Sequence, residues 1–207
     1  MINSVWKESC KLPSFESLKS EIKTDVLIIG GGIAGILTAY FLHQKGVKYI
    51  LVEKDRICSH TTQNTTAKIT YQHGLIYHKI EKSYSLNNAK GYLIANKIAF
   101  EKYRELCKNI DCDYEIKDNF VYSTNNRKTL EYEMNTLEKI GYEAEYEENL
   151  LLPFPTVGAV KFANQAQFHP LKFLSVIAKD LPIYENTFVK EMRGNTAITD
   201  CGKITAK

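Results

Sequence analysis

The stretch that decides the fold reads Asp25-Val-Leu-Ile-Ile29, then Gly30-Gly-Gly-Ile-Ala-Gly35, and later Tyr49-Ile-Leu-Val-Glu53. The first and last pieces are continuous apolar runs, which are typical of parallel strands buried on both faces. Between them, apolar residues recur with helical spacing from Ile33 until Gly46 ends the pattern. A strand, a helix and a second strand within about 30 residues predict a βαβ unit.

The glycines follow the pattern G-x-G-x-x-G directly after the first strand. Gly30 permits a tight turn, Gly32 lets the backbone approach a pyrophosphate, and Gly35 lets the helix pack closely on the strand. The helix N-terminus offers N–H groups and a positive dipole end to phosphates. Glu53, 18 residues after Gly35, can accept hydrogen bonds from ribose hydroxyls. These features predict a Rossmann-type dinucleotide-binding region. They leave FAD and NAD open, whereas an acid at the ribose position disfavours NADP.

Working outward, the periodicity predicts helices over 87–109, 127–140 and 171–180, and a strand hairpin that turns at Lys117-Asp118-Asn119. His169 precedes Pro170 at a helix start, where we expect a structural turn. The fold class is therefore α/β, with an α+β segment inserted into the nucleotide-binding fold. The predicted regions are a leader (1–24), the nucleotide-binding region (25–110), the insertion (111–165) and a return to the nucleotide-binding region (166–207).

Composition excludes several classes of function. A formal net charge of +3 over 207 residues is too small to indicate a nucleic-acid partner. The longest apolar run is broken by glycines, so no membrane span is expected. The five cysteines are odd in number and lack C-x-x-C spacing, which favours a reduced, cytoplasmic protein. The sequence has no Cys-x-His pair followed by Cys-x-x-His, and His73 and His78 are five residues apart, so we expect no metal site on these residues.

Three further segments carry a resemblance to a family: Thr61-Thr-Gln-Asn-Thr-Thr-Ala-Lys68, Gln72-His-Gly-Leu-Ile-Tyr-His78 and Asn164-Gln-Ala-Gln-Phe-His-Pro170. With the glycine motif and Glu53-Lys54, the first segment resembles FAD-dependent oxidoreductases of the D-amino-acid oxidase and glycine oxidase (DAO) family. The second and third segments resemble more narrowly the bacterial members that carry a C-terminal Rieske [2Fe-2S] domain. The resemblance implies FAD as the cofactor and adds Lys54 to the site. By position, the residues implied to lie along the pyrophosphate and flavin are Thr61, Thr62, Thr66, Ala67 and Lys68, and the backbone of Val189 is implied to meet the adenine.

The resemblance also implies what the chain does and lacks. The insertion over 111–165 corresponds to part of a substrate domain, and the implied reaction is oxidative deamination of an amine or amino acid. In the family, a further strand and the substrate carboxylate clamp follow the position of Lys207, so we expect a C-terminally incomplete fold whose catalytic residues lie beyond these residues. Two alternatives remain open at this point, an NAD-dependent dehydrogenase and a non-catalytic nucleotide-binding fragment.

Overall fold

The computed structural model describes residues 4–207. The helices in chain order are α1 (Val5–Ser9), α2 (Ile33–Gln44), α3 (Ile76–Ser83), α4 (Leu86–Cys107), α5 (Arg127–Lys139) and α6 (Pro170–Ile177). The strands are β1 (Ile22–Lys23), β2 (Val26–Ile29), β3 (Tyr49–Val52), β4 (Lys68–Ile69), β5 (Glu115–Ser123), β6 (Glu145–Glu147), β7 (Gly158–Gln167), β8 (Ile183–Tyr184), β9 (Val189–Arg193), β10 (Thr196–Thr199) and β11 (Lys203–Thr205). A short 3₁₀ turn covers Thr62–Asn64. Among the described residues, none of the helices is both long enough and apolar enough to cross a membrane.

The described chain forms two compact units. The first contains residues 4–66, Ile110–Cys112 and His169–Lys207, and the second contains Ala67–Asn109 and Asp113–Phe168. These bounds differ from the predicted insertion over 111–165, because the whole segment from Ala67 to Asn109 also belongs to the second unit. The first three residues of the predicted leader lie outside the described part.

The first unit contains the βαβ unit that the sequence predicts. Strands β2 and β3 pair in parallel, from Val26 opposite Tyr49 to Ile29 opposite Val52. All four residues of β3 are buried, and β8 pairs in parallel with its other edge. Helix α2 leaves the end of β2 and buries Ile36 and Ala39. The predicted strand, helix and strand are confirmed.

A second sheet in this unit has the order β1-β11-β10-β9. Strands β9 and β10 form an antiparallel hairpin, with Gly194 at φ +56° in its turn. The sequence reading missed β1 and β11, which pair in parallel over two residues only. A shared core joins the two sheets, and its buried members are Leu18, Ile50, Val52, Ala197 and Ile204.

The second unit is an antiparallel sheet covered by helices. Its strand order is β4-β7-β5, with β6 paired to β7. One core contains Tyr77 of α3, Leu93 of α4, Leu130 of α5 and Phe162 of β7. Because α3 and α4 bury their apolar faces in this core, the unit begins at Ala67 rather than at 111.

The predicted turn at Lys117-Asp118-Asn119 is wrong, because β5 runs unbroken from Glu115 to Ser123 along β7. The register shifts between Lys117 and Asn119, so the polar residues form an irregularity within a strand. The Asp118 carboxylate accepts a hydrogen bond from the Asn164 N–H at 3.0 Å. The Asn119 amide is buried and donates to Gln72 Oε1 at 2.7 Å. Tertiary partners therefore satisfy the polar groups that, from sequence alone, indicate a turn.

Glu133 is a buried carboxylate of α5 that caps the N-terminus of α3. Its oxygens accept hydrogen bonds from the N–H groups of Tyr77 at 3.0 Å and of His78 at 2.7 Å. Burial is the largest influence on its pKa and raises it, in spite of these bonds. A carboxyl group is thus held in an apolar core because it accepts hydrogen bonds from the N–H groups of a helix end.

Replacing Glu133 with Ala should lower the free energy of unfolding by about 2–3 kcal/mol, because two buried N–H groups lose their acceptor. Since the pKa is raised, the carboxyl contributes most stability below its ordinary pKa of 4.5 and loses that contribution as the pH rises through the raised value. The stability difference between wild type and variant, measured by urea unfolding, should be larger at pH 5 than at pH 8. Glu131→Ala on the exposed part of α5 is the control and should cost less than about 0.5 kcal/mol. Equal losses at the two positions would contradict the capping role.

Candidate dinucleotide-binding site

The turn from β2 into α2 shows why glycine stands at both ends of the motif. Gly30 has φ +110°, a conformation that disfavours other residues, and its N–H donates to the Val52 carbonyl at 2.8 Å. A Cβ added to Gly35 would lie 2.0 Å from the Gly30 carbonyl oxygen. The tight turn and the close approach of helix and strand therefore have the geometry that the sequence predicts.

Gly32 leaves space in front of the N-terminus of α2. It is the N-cap residue, without a side chain to cap the helix, and an added Cβ would meet only Thr62 Oγ1, at 3.3 Å. The Ile33 N–H donates to the same hydroxyl at 3.1 Å. The structure thus brings Thr62 to the helix end where the pyrophosphate is predicted. Thr62 lies in residues 61–66, which we call the Thr-rich loop.

Glu53 lies at the end of β3 with only 8% of its surface exposed. One carboxylate oxygen accepts the Gly31 N–H at 2.7 Å and the other accepts the Asp55 N–H at 3.1 Å. These two bonds hold the carboxylate in a fixed orientation. Each oxygen keeps a further lone pair, so the carboxylate can still accept hydrogen bonds from hydroxyl groups. Its position after the buried strand is confirmed, and the ribose contact stays a prediction.

Gly31 is a structural member of the site that sequence reasoning missed. A Cβ there would lie 2.9 Å from Ile57 Cγ2 and 3.0 Å from Glu53 Cβ. The signal was present, since Gly31 is the middle of three consecutive glycines, but the motif assigns no role to that position.

A cleft of about 200 Å³ opens beside Glu53. Four predicted site residues line it: Gly30, Glu53, Lys54 and Val189. His60, Thr187 and the half-exposed Phe188 also line it and were not predicted. Sites for complete drug-sized ligands span about 300–1,000 Å³, so this cleft suits one end of a dinucleotide.

The other predicted site residues fall in both units. Thr61 and Thr66 are exposed residues of the first unit, on either side of the 3₁₀ turn. In the second unit, Ala67 is buried at φ +58° and Lys68 begins β4 with an exposed side chain. Their contacts with a cofactor stay predictions.

Glu185 is a buried carboxylate that fixes the segment after Glu53, and sequence reasoning missed it. It accepts hydrogen bonds from the Ile57 N–H at 2.7 Å and from Arg56 Nε at 3.0 Å. The Phe15 N–H donates to its other oxygen at 3.0 Å. Nothing in the sequence separates Glu185 from the exposed acids of the chain, because its partners lie far away along the chain.

Cys58 lies in the same segment and is buried, with its N–H donating to the Gly31 carbonyl at 2.9 Å. Burial, followed by the nearby carboxylates of Glu53 and Glu185, raises the pKa of its thiol to about 12. The thiol therefore stays protonated at neutral pH and supports packing rather than nucleophilic chemistry.

Glu53, Asp55 and His60 bring their oxygen and nitrogen atoms within 4.8 Å of one another. His60 Nε2 lies 2.8 Å from Asp55 Oδ2, and both Glu53 oxygens already accept backbone N–H groups. The groups satisfy one another within the chain, and we assign no metal to this cluster.

Comparison with known proteins places this geometry in a family. Residues 25–206 match the profile of the FAD dependent oxidoreductase (DAO) family. A Bacillus subtilis (strain 168) relative, named for a Rieske 2Fe-2S iron–sulfur protein (YhfW), is 36% identical over 197 residues, which cover 91% of this chain and 39% of the relative. Gamma-glutamylputrescine oxidoreductase of Escherichia coli (strain K12) is 28% identical over 137 residues, covering 63% of this chain and 32% of that protein. Glycine oxidase from Geobacillus kaustophilus has a crystal structure with a TM-score of 0.68 at 17% identity, covering 89% of this chain and 54% of its own.

The chain thus spans less than half of both curated relatives and about half of the solved oxidase, as expected for a fold that is partial relative to its neighbours. The glycine turn, the open N-terminus of α2 and the oriented Glu53 fit a dinucleotide, because a Cβ at Gly32 would occupy the approach to the helix end. The family match extends over nearly all the described residues and confirms the predicted α/β fold. The chain belongs to the DAO family of FAD-dependent oxidoreductases, and FAD is its cofactor.

Proposed function

We propose that the first unit binds FAD through the glycine turn, Glu53 and the Thr-rich loop, and that the whole protein oxidises an amine or amino acid. The observation that carries the proposal is the Glu53 carboxylate, held at 2.7 Å by the Gly31 N–H beside the cleft that Val189 also lines. Glu53 would accept the ribose hydroxyls, and the α2 N-terminus with Thr62 would receive the pyrophosphate. Lys54 would lie beside the ribose and Val189 beside the adenine.

Thr61, Thr66, Ala67 and Lys68 would continue along the pyrophosphate towards the flavin. When bound, FAD supplies the acceptor for a hydride from the carbon next to the amine, and the product imine hydrolyses. The chain's own residues bind and orient the cofactor. We assign no catalytic residue within this chain.

The second unit offers a surface suited to a substrate domain. A cleft of about 570 Å³ is lined by Lys68, Phe120, Tyr122 and Leu152, among others. This volume lies in the range of about 300–1,000 Å³ that is usual for small-molecule sites. We infer that the α+β insertion belongs to the part of the protein that contacts the substrate.

The relatives suggest the reaction partners. Gamma-glutamylputrescine oxidoreductase and glycine oxidase carry the names of an amine and an amino-acid substrate. The name of YhfW includes a Rieske 2Fe-2S centre, so we infer a Rieske domain as an electron-transfer partner in the whole protein. The cysteine pattern favours a reducing compartment, from which we infer a cytoplasmic location.

The test of cofactor binding is the visible absorption spectrum of the purified protein before and after addition of FAD. We expect flavin absorption that stays with the protein through gel filtration. A protein that excludes FAD but binds NADH in a parallel titration would support a dehydrogenase instead. Binding of neither would support a non-catalytic fragment.

Replacing Glu53 with Ala should weaken FAD binding by about 1.5–3 kcal/mol, the usual range for hydrogen bonds to a charged group. The Gly31 and Asp55 N–H groups also lose their acceptor, so a drop in the free energy of unfolding should accompany the weaker binding. Fluorescence titration with FAD and urea unfolding measure the two effects. Asp55→Asn, a change to the neighbouring exposed carboxylate, should alter FAD affinity by less than about twofold. A loss below about 0.3 kcal/mol in Glu53→Ala would mean that Glu53 does not hold the ribose.

A further inference from the structure

The leader ahead of β1 is fastened to both ends of the proposed cofactor site. Near β1, the Leu18 N–H donates to Thr187 Oγ1 at 3.1 Å, and Thr187 lines the cleft beside Glu53. The Phe15 N–H donates to Glu185 at 3.0 Å. These bonds hold residues 15–18 against the segment that follows β8, which contributes Thr187 to the lining of the cleft.

The other end of the leader, which includes α1, reaches the Thr-rich loop. The Trp6 indole Nε1–H donates to the Thr65 carbonyl at 3.0 Å, and the Ser4 hydroxyl donates to the Gln63 carbonyl. Two donors spaced by two residues thus meet two carbonyls spaced by two residues. The leader and the loop are therefore joined by two hydrogen bonds rather than by a single contact.

Helix α1 is also held by contacts with His169, the N-cap residue of α6. Ser9 Oγ lies 2.9 Å from Nε2 of His169, a buried residue whose Nδ1 accepts the Lys172 N–H at the start of α6. The Trp6 ring meets the His169 ring edge to face, with centroids 5.0 Å apart. His169 thus has the structural role expected from sequence, and it gives Trp6 a rigid backing.

The position at which Trp6 attaches matters for the cofactor. Thr65 is the residue where the 3₁₀ turn ends and the chain becomes extended, with φ −69° and ψ 155°. Before it, the turn presents Thr62 to the N-terminus of α2 at 3.1 Å, and directly after it comes Thr66. A donor at the Thr65 carbonyl therefore holds the loop at the point between two proposed FAD contacts.

We propose that Trp6 is a positioning residue for cofactor binding: through its indole N–H it holds the Thr-rich loop in the conformation that retains FAD. This inference rests on the proposed function, because it needs the loop to contact FAD. Trp6 itself need not touch the cofactor. Its effect should appear in FAD retention more than in the stability of the cofactor-free protein.

The test is Trp6→Phe, which removes the N–H donor and keeps an aromatic ring against His169. We expect FAD to dissociate about 3–10 times faster, the change that corresponds to the loss of one neutral hydrogen bond. The matched control is Lys19→Ala, which removes an exposed ion pair of the leader with Glu16 that involves neither the loop nor His169, and it should change FAD dissociation by less than about twofold. Circular dichroism and urea unfolding of the FAD-free variants should show that both remain folded.

A second readout uses the wild-type protein, in which Trp6 is the only tryptophan. Saturation with FAD should reduce quenching of its emission by acrylamide, because a loop ordered by the cofactor shields the indole. If wild type binds FAD while Trp6→Phe releases it at the wild-type rate, or Lys19→Ala releases it as fast as Trp6→Phe does, the positioning role is wrong and the proposed function stands. If wild type fails to bind FAD, both are wrong.

Discussion

Gly35→Ala should abolish FAD binding and destabilise the first unit by about 3 kcal/mol or more, although the change adds a single methyl group. The new Cβ would lie 2.0 Å from the carbonyl oxygen of Gly30, a backbone atom that cannot rotate away. Relief requires α2 to move off β2, and that movement displaces the helix N-terminus on which the pyrophosphate site depends. The loss is large relative to the stability of a typical domain, about 5–15 kcal/mol.

The measurement is urea unfolding followed by circular dichroism, together with an FAD titration. Gly91→Ala is the matched control, because Gly91 also lies inside a helix, α4, and an added Cβ there meets nothing within 4 Å. Alanine is favoured over glycine in helices, so this control should gain about 0.5–1 kcal/mol. The free energy of unfolding should therefore fall in Gly35→Ala and rise in Gly91→Ala. A Gly35→Ala protein that unfolds at the wild-type urea concentration would show that α2 does not need its close approach to β2.

The part of the fold that the sequence predicted is the part set by local pattern. Continuous apolar runs around Ile28 and Leu51 predict buried parallel strands, and the intervening 3.6-residue period predicts α2. The glycines have fixed consequences for the backbone, so the turn at Gly30 and the packing at Gly35 follow from residue type alone. These elements need no knowledge of distant partners.

The parts that were missed depend on distant partners. Strands β1 and β11 are two and three residues long and lie at opposite ends of the described chain, so neither has a period to detect. The apparent turn at Asp118 is straightened by its bonds to the β7 segment, including the one from Asn164. The bounds of the second unit follow from the shared core of Tyr77 and Phe162, 85 residues apart along the chain.

The residues of the candidate site also separate into those that a local pattern predicts and those that depend on distant partners. Glu53 was predictable because it ends a recognisable strand, and Thr62 because the Thr-rich loop resembles a family. Gly31 and Glu185 act through contacts that no short motif records: a Cβ clash with Ile57 for the first, and hydrogen bonds across 128 and 170 residues of chain for the second. The scaffold that orients a ligand-binding group is thus harder to find from sequence than the group itself.

Gly32→Val is expected to remove FAD binding while leaving the protein folded, which separates it from Gly35→Ala. Gly32 has φ −81° and ψ −179°, an extended conformation that valine adopts readily, so the variant tests space rather than backbone strain. In the FAD-free protein, the nearest atom to an added Cβ is the rotatable Thr62 hydroxyl at 3.3 Å. Valine is a poorer N-cap residue than glycine, and we expect a stability loss of about 1 kcal/mol from that cause.

The branched side chain would occupy the approach to the α2 N-terminus, so the Kd for FAD should rise by about 100-fold or more. Fluorescence titration measures the Kd, and circular dichroism with urea unfolding checks that the fold persists. Gly32→Ala should give a smaller rise, because its single methyl group displaces less of the ligand. If Gly32→Val binds FAD as tightly as wild type, the pyrophosphate does not pass Gly32, and the glycine motif in this chain serves only to pack α2 against β2.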